Sequence, residues 1–303
     1  MSVTVTAFYK FVAIDDPPAL RESLLARARE LGIKGTILVA PEGINATIAG
    51  PGDAIRRMLA HLRADPRFAD LVSKESYVDE VPFRRIKVRL KREIVTLRRP
   101  EADPSRQVGT YVKPEDWNAL LADPDLLLID TRNAYEVGIG TFKGAIDPAT
   151  RTFGEFPDFV AANLDPAKHK RVAMFCTGGI RCEKASSYLL SKGFAEVYHL
   201  EGGILKYLET IPPDQSLWQG ECFVFDERVA LEYGVRPGSH VMCKRCGFPV
   251  AIGEAGGPAP PCPRCSVAHE LEPGDRRDQK CEKDDPLERG GLAEVENADR
   301  RRA

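Results

Sequence analysis

The residues that point most clearly to chemistry form a short loop with a cysteine at one end and an arginine at the other. In order, they are Cys176, Thr177, Gly178, Gly179, Ile180 and Arg181. The apolar run Arg171–Phe175 predicts a buried strand before the loop, and a helix is predicted from about Arg181 to Lys192. The two glycines allow backbone N–H groups to turn inward as an anion-binding nest. Because the helix N-terminus and Arg181 add positive charge, we expect the pKa of Cys176 to lie below the ~8.5 of a free cysteine.

This loop also admits other interpretations. A buried structural cysteine is the plain alternative for Cys176, but the glycines and the arginine directly after it favour a reactive thiolate. A cysteine-dependent phosphatase loop has five residues between cysteine and arginine, whereas four separate Cys176 from Arg181; tetrahedral phosphate is therefore a poor substrate candidate. Cys182 is either a packing residue of the helix or a second thiol that could resolve an oxidised form of Cys176 such as a disulfide. The predicted catalytic residues are Cys176, Arg181 and Cys182, and the predicted substrate-binding residues of the loop are Thr177, Gly178, Gly179 and Ile180.

Four further cysteines have the spacing of a metal site. They form two Cys-x-x-Cys turns separated by fifteen residues, namely Cys243, Cys246, Cys262 and Cys265. Four thiolates at this spacing predict one tetrahedral structural Zn²⁺ in a closed site. Two redox pairs or disordered cysteines are the alternative. The remaining cysteines and nearby histidines, which we do not assign as ligands, are Cys222, Cys281, His240 and His269.

A basic segment precedes the middle of the chain. On a strand, alternate positions would place its cations on one face and its apolar residues toward the core. The cations predicted to bind substrate are Arg85, Lys87, Arg89 and Lys91, and the apolar residues are Ile86, Val88 and Leu90. Several like charges on one sheet face suit a phosphate backbone. A solvated or edge-protecting strand is the alternative.

The composition limits the classes of function. The 303 residues carry a formal net charge of −2, so a basic surface for nucleic acid must be local. No run approaches the about 18 apolar residues of a membrane span, and the first residues do not resemble a signal peptide. Eight cysteines in such a chain indicate thiol chemistry or metal rather than a disulfide framework. We therefore expect a cytoplasmic protein without a membrane partner.

The elements that must position these residues fall into several parts. In the first part, strand and helix patterns follow in the order βαββαβ, at Thr4–Ile14, Ala19–Leu31, Gly35–Ala40, Asn45–Ala49, Asp53–Arg63 and Arg84–Leu97. This order predicts a ferredoxin-like, or acylphosphatase-like, α+β domain with both helices on one face. The turn Pro41–Asn45 could be a plain hairpin or could approach the active site. From Tyr111 on, strands and helices alternate, which predicts an α/β domain with a parallel sheet.

The predicted domains follow from these changes of pattern. Their boundaries are 1–97 for the ferredoxin-like domain, 98–110 for a linker, 111–211 for the α/β domain, 212–273 for the Cys-rich zinc module and 274–303 for a disordered tail. The tail is predicted from its many charges and few apolar residues. The fold class is thus a multidomain α/β protein.

The α/β domain resembles the rhodanese family. The similarity is carried by the Cys176 loop together with the segments Asp130–Arg132, Tyr135–Glu136, Lys143–Ile146 and Glu201–Ile204. This resemblance implies that Cys176 can carry a persulfide, with the loop amides around the sulfur, and Cys182 could then be the thiol that resolves it.

Over its whole length the chain resembles the bacterial tRNA uridine hydroxylase family of the TrhO type. The segments that carry the resemblance are Ala40–Asn45, Lys87–Leu97, Cys176–Ala185, Gly220–Asp226 and the four cysteines. It implies oxygen-dependent conversion of uridine 34 of tRNA to 5-hydroxyuridine, with the anticodon region bound by the protein and molecular oxygen as co-substrate. We see no flavin or nicotinamide motif. The alternatives are a rhodanese-type sulfurtransferase acting through a Cys176 persulfide, and a non-enzymatic RNA-binding or scaffolding protein with a vestigial rhodanese domain.

Overall fold

The computed structural model describes residues 3–252 and 261–265, and the chain divides into two compact units between Val241 and Met242. The first unit begins with an N-terminal domain. Its elements in chain order are β1 (Val3–Phe11), α1 (Pro17–Glu30), β2 (Lys34–Ala40), β3 (Gly43–Pro51), α2 (Gly52–Arg63), β4 (Ser73–Val78) and β5 (Ile86–Leu90). The sheet has the order β4-β1-β3-β2-β5, with β5 parallel to β2 and the other neighbours antiparallel.

This order is the predicted ferredoxin-like arrangement with a fifth strand added at one edge. The prediction was wrong in two details. It missed β4 and treated the basic segment as the fourth strand. The span predicted as the last strand, Arg84–Leu97, contains the short strand β5 in its first half.

Both helices cover the same face of the sheet. α1 begins after Asp16, whose side chain accepts a 3.0 Å hydrogen bond from the backbone N–H of Ala19, and Pro17 fits its first turn. The apolar residues that pack together from the two helices and the sheet include Leu24, Ala28, Ile55, Met58, Leu59, Phe8, Ile37, Ile48 and Val88. Burial of this apolar surface holds the helices on the sheet.

The register of the sheet defines what lies on its opposite face, here called the helix-free face. Cross-strand partners project their side chains to the same side. One row of partners runs across the sheet as Lys74, Ala7, Thr47, Thr36 and Lys87. The adjacent row consists of Tyr9, Asn45, Leu38 and Arg89. Two predicted substrate-binding residues, Lys87 and Arg89, therefore share a face with Lys74 and Tyr9.

The central domain follows. Its elements are β6 (Thr110–Val112), α3 (Pro114–Leu121), β7 (Leu126–Asp130), α4 (Ala134–Val137), β8 (Gly140–Phe142), α5 (Phe156–Asn163), β9 (Arg171–Phe175), α6 (Ile180–Ser191), β10 (Glu196–Leu200), α7 (Gly203–Thr210) and β11 (Trp218–Gly220). A parallel sheet of the order β6-β10-β9-β7 forms its centre, while β8 and β11 pair separately. The Cys176 loop leaves the carboxyl end of β9, an interior strand, which is where parallel sheets place their ligands.

The segment between the two domains packs closely. Ala102, within the predicted linker 98–110, is buried in the core of the central domain together with Leu97. The N–H of Gly109 donates a 3.0 Å hydrogen bond to the Ser186 hydroxyl. The rest of the described chain contributes short strands, β12 (Cys222–Phe223), β13 (Ala230–Glu232), β14 (Arg236–Pro237), β15 (His240–Met242) and β16 (Pro249–Ala251).

Part of the predicted Cys-rich module, 212–273, and all of the predicted tail fall outside these residues. The tail predicted as disordered, 274–303, lies outside the described residues, as do Cys281 and His269. In the part of the chain that is described, no helix has both the length and the apolar character to cross a membrane.

Candidate active site around Cys176

Cys176 sits at the bottom of its loop with no exposed surface. Gly179 adopts a φ of 103°, and its backbone N–H donates a 3.1 Å hydrogen bond to the Cys176 sulfur. The backbone N–H of Ile204, at the start of α7, donates to the Cys176 carbonyl at 3.0 Å. A side chain on Gly203 would begin 2.6 Å from that carbonyl oxygen. The turn with Gly202 and Gly203, at the start of α7, thus packs directly on the cysteine loop.

The environment of Cys176 favours the thiolate. Burial raises the pKa of the thiol, but three other effects outweigh it and lower the pKa to about 5. They are a hydrogen bond from the Cys182 thiol, the positive charge of Arg181, and the backbone N–H groups of Cys182 and Gly179. Burial and the neighbouring Cys176 raise the pKa of Cys182 well above its usual value. Cys176 is therefore the anionic partner of the pair, and Cys182 keeps its proton.

A buried carboxylate fixes Arg181. The two guanidinium nitrogens of Arg181 lie 2.6 and 2.7 Å from the two carboxylate oxygens of Glu136. Burial raises the pKa of Glu136, but the charge and hydrogen bonds of Arg181 outweigh this and lower it. Glu136 also accepts a 3.0 Å hydrogen bond from the backbone N–H of Asn133. A bidentate pair of this kind sets the direction of the guanidinium as well as its charge.

The acidic strand-end motif Asp130–Arg132 supports the sheet edge. Asp130 and Arg132 form a fully buried ion pair with a 2.6 Å contact. The Thr131 hydroxyl donates a 3.0 Å hydrogen bond to the Phe175 carbonyl and lies 3.5 Å from the Cys182 sulfur. The motif therefore braces the end of β9 and touches the second thiol.

The N-terminal domain reaches the same loop. The Lys74 ammonium donates a hydrogen bond to the Gly178 carbonyl, and the Tyr9 hydroxyl donates a 2.6 Å hydrogen bond to Glu183. Burial raises the pKa of Glu183, and hydrogen bonds from Tyr9 and Tyr111 partly offset this. The Cys176 site is thus built from two domains.

The turn Pro41–Asn45, left unassigned by the sequence, also contacts the central domain. Lys184, on the helix after the loop, is almost completely buried. Its ammonium lies 2.9 Å from a carboxylate oxygen of Glu42, 2.5 Å from Glu93 and 2.9 Å from the Val95 carbonyl. Two carboxylates from the N-terminal side therefore balance one buried cation of the central domain.

Two aromatic side chains flank the loop and remain accessible. Tyr111 is 45% exposed and Phe225 is 54% exposed. The Arg181 guanidinium lies 5.9 Å from the centroid of the Phe225 ring, and Tyr111 is hydrogen-bonded to Glu183. Accessible aromatic rings beside charged groups are the kind of surface on which unpaired bases stack.

The second unit contains the four cysteines of the predicted metal site. One sulfur from each residue lies within 4.8 Å of the others, with separations of 3.6 Å for Cys243–Cys265 and 3.5 Å for Cys246–Cys262. Four thiolates this close could hold one metal ion. The other candidates have different surroundings. Burial raises the pKa of the Cys222 thiol to about 12, and His240 lies 2.7 Å from the Glu221 carboxylate.

Comparison with known proteins agrees with this architecture. Residues 3–94 match the family model described as a UPF0176 acylphosphatase like domain, and residues 113–210 match the model described as a rhodanese-like domain. The chain is 55% identical over 254 residues to a Synechocystis protein named tRNA uridine(34) hydroxylase. The alignment covers 84% of this chain and 91% of that protein. The chain belongs to the tRNA uridine(34) hydroxylase family.

Solved structures match this member of the tRNA uridine(34) hydroxylase family over shorter stretches. The rhodanese-like domain of an Anabaena sp. protein is 19% identical and aligns with 36% of this chain and 78% of that domain, with a TM-score of 0.31. The Klebsiella pneumoniae protein BlrP1 is 22% identical over 29% of this chain and 26% of its own, with a TM-score of 0.25. At these scores neither structure bears on function.

In this family member, two of the four predicted substrate-binding cations lie on β5 and two lie next to it. Lys87 and Arg89 lie on the helix-free face by register, while Arg85 and Lys91 flank β5. Leu90 shares a face with Val88 by register, but it is 44% exposed at the end of an edge strand, so the expectation that it packs in the core was wrong. Val88 is buried as predicted.

Sequence reasoning did not assign Lys74, Glu136 or Glu183 to the site. Lys74 lies on β4, whose polar sequence has no apolar alternation that could reveal a strand. Glu136 was noticed only as part of a motif. Glu183 follows Cys182 directly in the first turn of α6, and this proximity to the loop was the available signal.

Proposed function

We propose that this protein hydroxylates uridine 34 of tRNA to 5-hydroxyuridine, with Cys176 acting at the reacting base. The observation that carries the proposal is 55% identity over 84% of the chain to the Synechocystis protein of that name. The site supports it, because a stabilised thiolate at Cys176 is a nucleophile suited to an electron-poor pyrimidine ring. A tRNA substrate also fits a cytoplasmic location.

The surroundings of Cys176 suit an RNA loop. The helix-free face runs from Lys87 and Arg89 on one edge to Lys74 beside the cysteine loop. Cations along such a face can contact successive phosphates. Tyr111 and Phe225 flank the loop where an unstacked base would have to enter. We propose that the anticodon loop crosses this face and places uridine 34, the first base of the anticodon, at Cys176.

Two chemical routes fit the residues. In the first, the Cys176 thiolate adds to C6 of uracil, which makes C5 electron-rich enough to be oxidised. In the second, a persulfide on Cys176, with Cys182, activates oxygen. With O₂ as co-substrate, one oxygen atom becomes the C5 hydroxyl and the other leaves as water, which consumes two electrons and two protons. Once Cys176 has left the ring, the Cys176 thiolate and the Cys182 thiol can supply the two electrons by becoming a disulfide; Cys182 then gives one of the two protons and solvent gives the other.

The four-cysteine cluster is proposed to bind structural Zn²⁺ through Cys243, Cys246, Cys262 and Cys265. Four sulfur ligands fill a tetrahedral coordination sphere, so no position is left for substrate or water. The metal would hold together a segment with a small apolar core. Its role would be to shape this part of the protein.

The proposal is tested in a strain that lacks the gene for this protein. Plasmids carrying the wild type, Cys176→Ser or Cys182→Ser are introduced, and nucleosides from total tRNA are analysed by mass spectrometry. We expect 5-hydroxyuridine and its derivatives with the wild type and their loss with Cys176→Ser. Full activity of Cys176→Ser would contradict both chemical routes. Purified enzyme under ¹⁸O₂ should place the label on C5, whereas label from H₂¹⁸O would exclude O₂ as the oxygen source.

A sulfurtransferase is the second candidate, because the match to the rhodanese-like domain spans the intact cysteine loop. Unchanged tRNA nucleosides in the deletion strain, together with thiosulfate:cyanide sulfurtransfer by the purified protein, would favour it over the hydroxylase.

A further inference from the structure

Lys74 is a cation that the N-terminal domain delivers to the cysteine loop. It lies on β4, at the edge of the sheet, and its cross-strand partner is Ala7. Its ammonium donates a hydrogen bond to the Gly178 carbonyl, two residues after Cys176, and lies 5.6 Å from the centroid of the Tyr9 ring. Two contacts, one to the cysteine loop and one to a ring of its own domain, therefore fix the position of the Lys74 ammonium.

The two glycine turns of the central domain leave the space that Lys74 occupies. A Cβ on Gly202 would lie 3.5 Å from the Lys74 Cε, and a Cβ on Gly178 would lie 3.9 Å from its Nζ. Lys74 is thus inserted between the cysteine loop and the turn that precedes α7. A surface lysine would not meet two separate turns in this way.

The charged groups that interact with Lys74 include the Cys176 thiolate. Burial lowers the pKa of Lys74 to about 8, and the groups that oppose this most strongly are Cys176 and then Glu183. Lys74 therefore remains mostly protonated at neutral pH. A positive charge close to a buried thiolate stabilises that thiolate in return.

We propose that Lys74 is a positioning residue for Cys176, which holds the Gly178 carbonyl in place and contributes positive charge to the thiolate from the neighbouring domain. The central domain alone then lacks one of the groups that set the reactivity of its own cysteine. The proposal rests on Cys176 being the reactive group of the proposed function, but it does not depend on the identity of the substrate.

The test is the pH profile of Cys176 alkylation in the full-length protein. Iodoacetamide reacts with the thiolate, and trypsin cleaves after Arg181, so the peptide with Cys176 is separated from Cys182 for mass spectrometry. Wild type is compared with Lys74→Met and Lys74→Arg. The matched control is Lys10→Met, because Lys10 lies in the same domain and pairs with Asp70 away from the loop.

We expect the midpoint of the profile to rise by about one pH unit in Lys74→Met, so that alkylation slows up to about tenfold below the midpoint. Lys74→Arg should restore most of the wild-type profile, and Lys10→Met should match it. A wild-type midpoint in Lys74→Met overturns the proposal, even if the rate at high pH rises because the thiol is uncovered. If Lys74→Met does not fold, the midpoint is measured in Lys74→Gln, which lacks the charge but keeps a hydrogen-bond donor, and the same rise is expected.

The tRNA assay run in parallel separates the two proposals. A shifted midpoint with unchanged 5-hydroxyuridine in the Cys176→Ser strain would uphold the role of Lys74 and refute the proposed function. An unshifted midpoint with loss of 5-hydroxyuridine in that strain would do the reverse.

Discussion

The hydroxyl group of Tyr9 lies where a side chain on Gly179 would begin. A Cβ at position 179 would be 2.8 Å from the Tyr9 oxygen, closer than real Cβ contacts allow. Gly179 also has a positive φ, which disfavours other residues at this position. The second glycine of the cysteine loop therefore serves two purposes. It turns a backbone N–H toward the sulfur, and it leaves room for a tyrosine from another domain.

Cys176→Ser should remove a pH dependence of stability. In the folded protein the pKa of Cys176 is about 5, below the ~8.5 of the unfolded chain. Between these values the unfolded state holds more protons, so stability rises with pH. The contribution is complete above pH 8.5 and is lost as the pH falls through 5.

The measurement is urea unfolding at several pH values in this window. The difference in free energy of unfolding between wild type and Cys176→Ser should grow with pH by up to about 1.4 kcal/mol per unit. Cys222→Ser is the control, because the Cys222 thiol stays protonated in this range. Parallel curves for wild type and Cys176→Ser would contradict the low pKa.

Glu136→Gln should destabilise the protein strongly. The exchange leaves the Arg181 guanidinium buried without its carboxylate, and loss of one partner of a buried pair typically costs about 3–5 kcal/mol. Chemical denaturation measures the change. Glu155→Gln, which breaks an exposed pair with Arg151, should change stability by less than about 1 kcal/mol. Equal losses in free energy of unfolding for the two exchanges would show that the buried pair stabilises the protein no more than the exposed pair does.

Lys184→Met should weaken the contact between the two domains. Without the lysine, Glu42 and Glu93 face each other with no cation between them, so we expect a loss of about 2–4 kcal/mol. Hydrogen exchange should then rise first in residues 91–97 and in the turn at Glu42. Lys192→Met is the matched control, since its partner Glu101 lies on the surface. Exchange that stays at the wild-type level in both segments would argue against the cluster as a domain clamp.

The purified protein should contain about one zinc ion per chain, because four thiolates complete one tetrahedral site. Elemental analysis after gel filtration measures this. Cys262→Ser should reduce the content by more than half, and Cys222→Ser should leave it unchanged. Zinc retained at the wild-type level in Cys262→Ser would place the metal elsewhere.

Exchange of Lys87 and Arg89 for alanine should weaken tRNA binding. If each contacts one phosphate, the slope of log K against log salt should fall by about one for each residue removed. Fluorescence anisotropy at several salt concentrations measures the slope. Arg57→Ala removes an exposed charge on α2, on the opposite side of the sheet, and should have little effect. An equal loss in Arg57→Ala would mean that tRNA senses only the net charge.

A feature of the fold or of the site could be predicted when the residues that determine it lie close together in the sequence. The Cys176 loop was predictable, because the strand, the glycines and Arg181 are consecutive. The alternation of apolar residues correctly predicted that Val88 is buried. It did not predict the exposure of Leu90, because Leu90 is the last residue of an edge strand.

Contacts between domains were outside the reach of such patterns. Lys184 meets Glu42 across 142 positions of sequence, and Lys74 meets Gly178 across 104. A lysine on a polar strand has the same sequence appearance whether it faces water or a thiolate. Whether the lysine faces water or a thiolate depends on how one domain packs on another, and the spacing of residues within a short segment carries no information about that packing.

The buried cluster of Lys184 with Glu42 and Glu93 bears on the order in which the chain assembles during translation. Both carboxylates leave the ribosome about ninety residues or more before Lys184 does, at rates of about 5–20 residues per second. The N-terminal sheet has all of its strands by Leu90, so it can fold while the rest is being made. When α6 emerges, Glu42 already belongs to this sheet domain, and Glu93 has been synthesised directly after it. We therefore expect the central domain to mature on a finished surface.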